Sequence, residues 1–226
     1  SWNDSEVTIK CQNLKRIAFL VKIAPEDTYL TDFQALVSCI CQYLVAKDDK
    51  LKIRCWILLR VLLLKFSESH FNEYWGTIAY CLQTNLQEFF ECLQLQQNID
   101  CDLLLQVCKT LDLLLAMNIE GFSATNEWLF TIDTINCVYK TYPYISLVDK
   151  IAEFKEYSIA QVGDIELAQT KEKKLPFLFG VQHIKNHHQL RNFFNNLSYV
   201  HYEDIYSMKR LDYEESEKDL LKDIFT

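Results

Sequence analysis

The residues most able to do chemistry occur in pairs, and their spacing decides what each pair can do. Cys39 and Cys41 are separated by one residue, which on a helix turns the two thiols about 200° apart. They are read as packing residues, not a dithiol. Cys101 and Cys108 are seven apart and share a helix face, but no second Cys or His pair stands at zinc-site spacing. His187 and His188 are adjacent, so a helix points their rings to different sides, and neither has a His or carboxylate four residues on. They are read as surface histidines. Glu214 and Glu215 sit in a charged run that reads as a solvated face, not a buried acid/base pair.

Phosphate and nucleophile motifs are missing as well. The sequence contains no Gly-x-Ser-x-Gly, no Gly-x-Gly-x-x-Gly and no Gly-x-x-x-x-Gly-Lys, and its 4 glycines are too few to build such loops. No catalytic residue, metal ligand or cofactor is therefore expected, and a non-enzymatic binding role follows.

Two segments carry binding hypotheses. Lys171, Lys173, Lys174, Lys185 and Arg191, with His183, His187 and His188 nearby, form a candidate basic patch on an acidic chain. Such a patch would meet anionic lipid headgroups or an acidic partner, each near-surface cation contributing about 1 kcal/mol; the plainer reading is a charged loop. Phe177, Phe179, Phe193, Phe194, Tyr199, Tyr202 and Tyr206 crowd the last quarter and are candidate interface anchors, with core packing as the competing reading.

The elements that must position these groups follow from composition and periodicity. Of 226 residues, 50% are hydrophobic and 24% charged, a globular balance, while 4 Gly and 3 Pro favour long helices over a turn-rich sheet protein. A net charge of −8 repels nucleic acid and anionic membranes unless a local patch intervenes. Nine cysteines scattered through apolar runs lack the spacing of a secreted disulfide framework, so a reducing compartment is expected. The most apolar stretch, Cys55 to Leu64, carries Arg60 inside it and is too short to span a bilayer. The chain starts Ser1-Trp2-Asn3-Asp4 without Met, as a piece of something longer would.

Apolar residues recurring every three or four positions predict helices over 5–23, 33–44, 51–66, 70–96, 101–117, 125–139, 146–157, 186–206 and 213–225. Pro25 ends the first, Thr31 or Asp32 can cap the second, and Asp100 can cap the fifth. In the third, Lys52, Arg54, Arg60 and Lys65 are the positions left for solvent. Gly76 is read as allowing close packing. Residues 158–174 thin out in apolar content and form a candidate flexible loop within a single domain of residues 1–226. Leu86 with Leu93 and Leu104 with Leu111 stand at heptad spacing, too briefly for a coiled coil. The fold class is all-α: antiparallel helices in a HEAT-like α-solenoid or an irregular helical bundle.

Three stretches carry a resemblance. Leu111-Asp112-Leu113-Leu114-Leu115-Ala116, then Glu127-Trp128-Leu129-Phe130 with Asp133-Thr134-Ile135, and the ending Tyr213-Glu214-Glu215-x-Glu217-Lys218-Asp219-Leu220-Leu221-Lys222-Asp223-Ile224-Phe225 are similar to the C-terminal region of the Dopey family. The resemblance implies a fragment of a very large leucine-rich scaffold, peripheral on the cytoplasmic face of Golgi and endosomal membranes. It implies a role in endosome-to-Golgi transport, with an Arf-exchange-factor-like scaffold, an aminophospholipid flippase and motor adaptors as partners, and homodimerisation as a further expectation. A peripheral module contacting anionic phospholipids through the basic segment is the alternative.

Overall fold

The computed structural model describes residues 3–122, 145–154, 163–169, 172–204 and 209–226, with the side chains of 198–204 excepted. The helix expected over 125–139, and Lys171, Tyr199, Tyr202 and Tyr206 as side chains, lie outside the described residues.

Eight α-helices are described: α1 (Asp4–Ile23), α2 (Phe33–Leu44), α3 (Asp49–Lys65), α4 (Trp75–Leu95), α5 (Cys101–Met117), α6 (Leu147–Ala152), α7 (Arg191–Asp204) and α8 (Tyr213–Phe225). No strand occurs among the described residues; the one β-bridge is the parallel pairing of Lys174 with Leu211. The all-α expectation holds.

Local chemistry sets the boundaries. The Asn3 side chain accepts from the Glu6 amide at 2.8 Å, Asp48 from Leu51 at 3.0 Å and Asp100 from Leu103 at 2.9 Å, so α1, α3 and α5 begin on side chains that satisfy otherwise orphaned N–H groups. Asp32 precedes α2 but its side chain makes no capping bond. The fourth helix starts five residues later than its periodicity suggests, because Glu68–Phe71 form a 3₁₀ turn that drives Phe71 into the core. There Phe71 stacks on Trp75 at 5.2 Å and meets Phe33 edge-on at 4.9 Å. α4 and α5 end on left-handed residues, Gln96 (φ 52°) and Asn118 (φ 53°), in place of the usual glycine. Gly76 is not a packing glycine: a Cβ there would meet open space, whereas at Gly121 it would come within 2.6 Å of the Trp75 indole nitrogen.

α3 is the centre. Every residue from Cys55 to Leu64 is buried, and α1, α2, α5 and α8 all pack on this helix, which is why its sequence is apolar all round. Leu86, Leu93, Leu104 and Leu111 are buried within the chain. α6 packs on α7 and α4. The last helix returns to the first: Phe225 meets Phe19 edge-on at 5.4 Å, and Lys22 pairs with Glu217 at 2.6 Å. The packing is consistent with the expected all-α solenoid or bundle.

Candidate functional site

Charge inside the core is the feature sequence periodicity misread. Arg60, assigned to solvent by its place in α3, is 3% exposed. Its guanidinium donates to Asp223 Oδ2 at 2.9 Å and to Gln106 Oε1. Asp223, itself at 0% exposure, also takes Lys109 Nζ at 2.6 Å. Lys109 bonds in addition to Asp219 Oδ2 at 3.1 Å and to the Val181 carbonyl at 2.9 Å. Asp219 Oδ1 accepts from the Gly180 amide at 3.0 Å and from Gln182 Nε2 at 2.8 Å. Two cations from α3 and α5 thus meet two carboxylates from α8, and the network is formally neutral. Taking each of these ions out of water costs several kcal/mol, so the arrangement is tolerable only because nearly every partner is in place.

Asp112 lies one turn along α5 from Lys109, 2% exposed. Its two oxygens accept from the amides of Phe177 (3.1 Å) and Leu178 (2.7 Å), which pins the 177–180 turn against α5. Burial pushes its carboxyl up to about 7, against the pull of those two N–H donors and of Lys109 and Lys174. The residues on either side of the turn are tied down too: Ala168 donates to Phe177 O at 2.9 Å, while Lys174 N to Arg210 O and Asp212 N to Lys174 O, both 2.9 Å, form the bridge that leads into α8. These are the described parts of the expected loop and its flank.

Chemically the network binds and orients helices. Asp219 spends both its oxygens, and Asp223 its Oδ2, on cations and amide donors, while the buried Asp223 Oδ1 and Arg60 Nε have no hydrogen-bond partner. Among the described residues no group of three His, Cys, Asp or Glu is arranged to hold a metal ion. Next to it opens a cleft of about 460 Å³, with Lys15, Lys50, Arg54 and His183 among its lining residues. Two of these cations face the end of α8: Arg54 donates to Ile224 O at 3.3 Å and Lys15 to Phe225 O at 3.4 Å, where a helix C-terminus favours positive charge.

The residues nominated from sequence are dispersed. Arg191 pairs with Asp164 at 2.5 Å, the exposed Lys173 stands 3.8 Å from Asp212, Lys174 is half-buried at the bridge to Leu211, and Lys185 is exposed. Acidic neighbours therefore offset Arg191 and Lys173. Phe193 and Phe194 are both at 0% exposure, 5.4 Å from each other, with Phe194 stacked on Phe89 at 5.9 Å; they are core, not interface, in this chain. Phe177 and Phe179 are half-buried. His187 and His188 are half-buried rather than surface residues, with rings 4.1 Å apart, and burial followed by the neighbouring imidazole pushes His187 down to about 4. Cys39, Cys41 and Cys101 are half-buried and Cys108 is buried, none in a disulfide.

The buried carboxylates were missed because Asp219 and Asp223 stand in an acidic run. One signal was available. Ser216, Asp219, Leu220, Asp223 and Ile224 repeat at helical spacing and form the buried face of α8, so those two aspartates belong to its inner stripe.

Comparison with known proteins gives the affiliation. A family model described as DOP1 C-terminal matches residues 1–207. The chain is 59% identical over 224 residues to Protein DOP1 of Saccharomyces cerevisiae, covering 99% of this chain and 13% of that protein. It is 26% identical over 230 residues to Protein dop1 of Emericella nidulans, covering 94% of this chain and 12% of that protein. No solved structure matches. The chain belongs to the DOP1, or Dopey, family and corresponds to its C-terminal region.

Proposed function

We propose that this C-terminal DOP1 region is a non-catalytic helical scaffold domain of a Golgi and endosome trafficking protein, acting through self-association or partner binding in endosome-to-Golgi transport. The observation that carries the reading is the 59% identity to a DOP1 protein along nearly the whole chain. The charged interior supports it. A core whose ion pairs tie the central helices to the last one holds the surfaces they carry rigidly against one another.

The chain spans 13% and 12% of the lengths of the relatives it matches, so the contacts of the whole protein are assigned to this region as proposals. They are an Arf-exchange-factor-like scaffold, an aminophospholipid flippase and motor adaptors, met at the cytoplasmic face of Golgi and endosomal membranes. Peripheral attachment is compatible with the helices described, none of which is long and apolar enough to cross a membrane. The pairing of Arg191 with Asp164, and the approach of Lys173 to Asp212, weigh against the basic segment as a lipid-binding surface.

The test is to replace this region in the full-length protein with an unrelated helical domain and follow an endosome-to-Golgi cargo reporter alongside capture of the exchange-factor-like scaffold. Missorting with loss of capture supports the reading. Normal sorting and normal capture would remove it from this region. Light scattering across a concentration series decides the self-association arm, since a dimer doubles the 26.7 kDa chain mass.

A further inference from the structure

The cleft of about 460 Å³ beside the ion-pair network gathers basic side chains from three parts of the chain. Lys15 comes from α1, Lys50 and Arg54 from α3, and His183 from the segment between the 177–180 turn and α7. Lys50 and Arg54 are four residues apart and so lie side by side on one helix face. The volume falls within the roughly 300–1,000 Å³ of small-molecule sites. On a chain with 31 acidic residues and a net charge of −8, basic groups collected in one hollow call for a counter-charge.

The fold supplies little of it. Among the described residues none of these four side chains forms an ion pair. Arg54 and Lys15 reach the Ile224 and Phe225 carbonyls at 3.3 and 3.4 Å, long contacts that occupy one donor each and leave the rest of both side chains unspent. Lys50 and His183 lack even that task, and both are exposed. Two carboxylates also line the cleft. Asp223 is already balanced by Arg60 and Lys109 behind it. Asp102 is exposed in the first turn of α5, where the helix N-terminus favours its charge. Lys15, Lys50 and Arg54 set against Asp102 leave the cleft with positive charge in excess.

We propose that this cleft binds a small soluble phosphate ester of the sugar- or polyol-phosphate class, its phosphate held by Lys50, Arg54 and Lys15. A tetrahedral phosphate offers oxygens in several directions, which suits cations approaching from α1 and α3, and Arg54 can present its fork to two of them. Hydroxyls of the ester meet Thr8 and Gln12, polar side chains exposed in the same lining. Among the described residues no Phe, Tyr or Trp lines the cleft, so a nucleobase has no ring to stack on. A bilayer or an acidic protein would bring extended negative charge against a chain of net charge −8, whereas a small anion senses chiefly the field inside the cleft. The inference goes beyond the scaffold reading and does not depend on it.

The test is an amide-resolved NMR titration of the chain with fructose 1,6-bisphosphate, set beside unphosphorylated fructose. The bisphosphate is expected to shift the amides around Gln12, Lys50 and Arg54 saturably, and fructose to leave them in place. Lys50→Ala, at an exposed position, is expected to weaken binding about tenfold with the unfolding midpoint unchanged. Lys173→Ala removes an exposed cation that does not line the cleft and should leave the affinity as it was. Equal responses to the two sugars, an affinity that Lys50→Ala does not change or that Lys173→Ala lowers as much, or no saturable shift would each overturn the proposal. Sedimentation with vesicles of phosphatidylcholine and phosphatidylserine that Lys50→Ala abolishes, without any response to the bisphosphate, would give the cleft to a membrane and overturn it too. The cargo assay and this titration fail independently, so the loss of one reading is not mistaken for the loss of the other.

Discussion

Arg60 and Asp223, 163 residues apart in the chain, meet at 2.9 Å in the interior with 3% and 0% of their side chains exposed. This contact fastens the last helix to the central one. Removing one partner leaves the other charge buried and uncompensated, so Asp223→Ala is expected to cost about 3–5 kcal/mol. The double replacement Arg60→Met with Asp223→Leu should recover more than half of that loss, because it removes both desolvation penalties. Urea unfolding of the three proteins checks it. A loss below about 1 kcal/mol for Asp223→Ala would mean that the apolar contacts of α8 alone hold it.

Asp112 gives the fold a pH dependence of unusual sign. Its folded carboxyl titrates near 7 and its unfolded one near 3.8, so between those values the folded state binds more protons than the unfolded state. Stability from this group is therefore greatest below the unfolded value, falls as pH rises through the window, and is flat above about 7. Wild type is expected to lose a few kcal/mol relative to Asp112→Asn between about pH 4 and pH 7. Unfolding free energies of both proteins across that range provide the measurement. Parallel curves would show that the two amide donors of the 177–178 turn keep the carboxylate ionised.

The helix pattern was legible where one face is apolar and the other polar, as in α1, α2 and α8, and where a capping residue stands at the boundary, as Asp100 does for α5. The affiliation was legible in short leucine-rich strings. Periodicity alone could not place Arg60, Lys109, Asp112, Asp219 and Asp223, because charges read as exposed until a partner is known, and these partners come from segments far apart in sequence, a turn in the case of Asp112. The hint was compositional: a lone charge within a run as apolar as Cys55 to Leu64 has no solvent face to occupy. The aromatic cluster around Phe193 and Phe194 failed as an interface for the converse reason, since large apolar side chains serve core and interface alike and only packing separates them.

Two glycines divide by their surroundings. At Gly121 an added Cβ would come within 2.6 and 2.7 Å of the Trp75 ring, and Trp75 is itself packed against Phe71 and Phe122. Gly121→Ala is expected to destabilise by about 1–3 kcal/mol through overpacking. Gly76, in the first turn of α4 with open space around it, should respond oppositely, with Gly76→Ala stabilising by about 0.5–1 kcal/mol through the gain in helix propensity. Thermal unfolding of the two variants tests both signs. A neutral Gly121→Ala would show that the Trp75 indole moves aside without cost.

The matched family region stops at residue 207, whereas the charges that balance Arg60 and Lys109 sit on α8 at 219 and 223. A fragment ending at 208 would keep both cations and lose both carboxylates, along with the buried Leu220 and Ile224. Lys109 would retain only the Val181 carbonyl, and Arg60 only Gln106, among the partners described above. Losing α8 bares the faces of α1 and α3 on which it packs and leaves Arg60 and Lys109 without their counter-charges, a large loss for a domain stable by about 5–15 kcal/mol. Residues 1–208 are therefore expected to unfold without a cooperative transition and to bind a hydrophobic dye, whereas the full chain unfolds cooperatively. A synthetic peptide of residues 209–226 added in excess should restore part of the transition, and Asp223→Ala in that peptide should abolish the rescue. Cooperative unfolding of residues 1–208 alone would place α8 outside the folding unit and reduce the ion-pair network to an accessory contact.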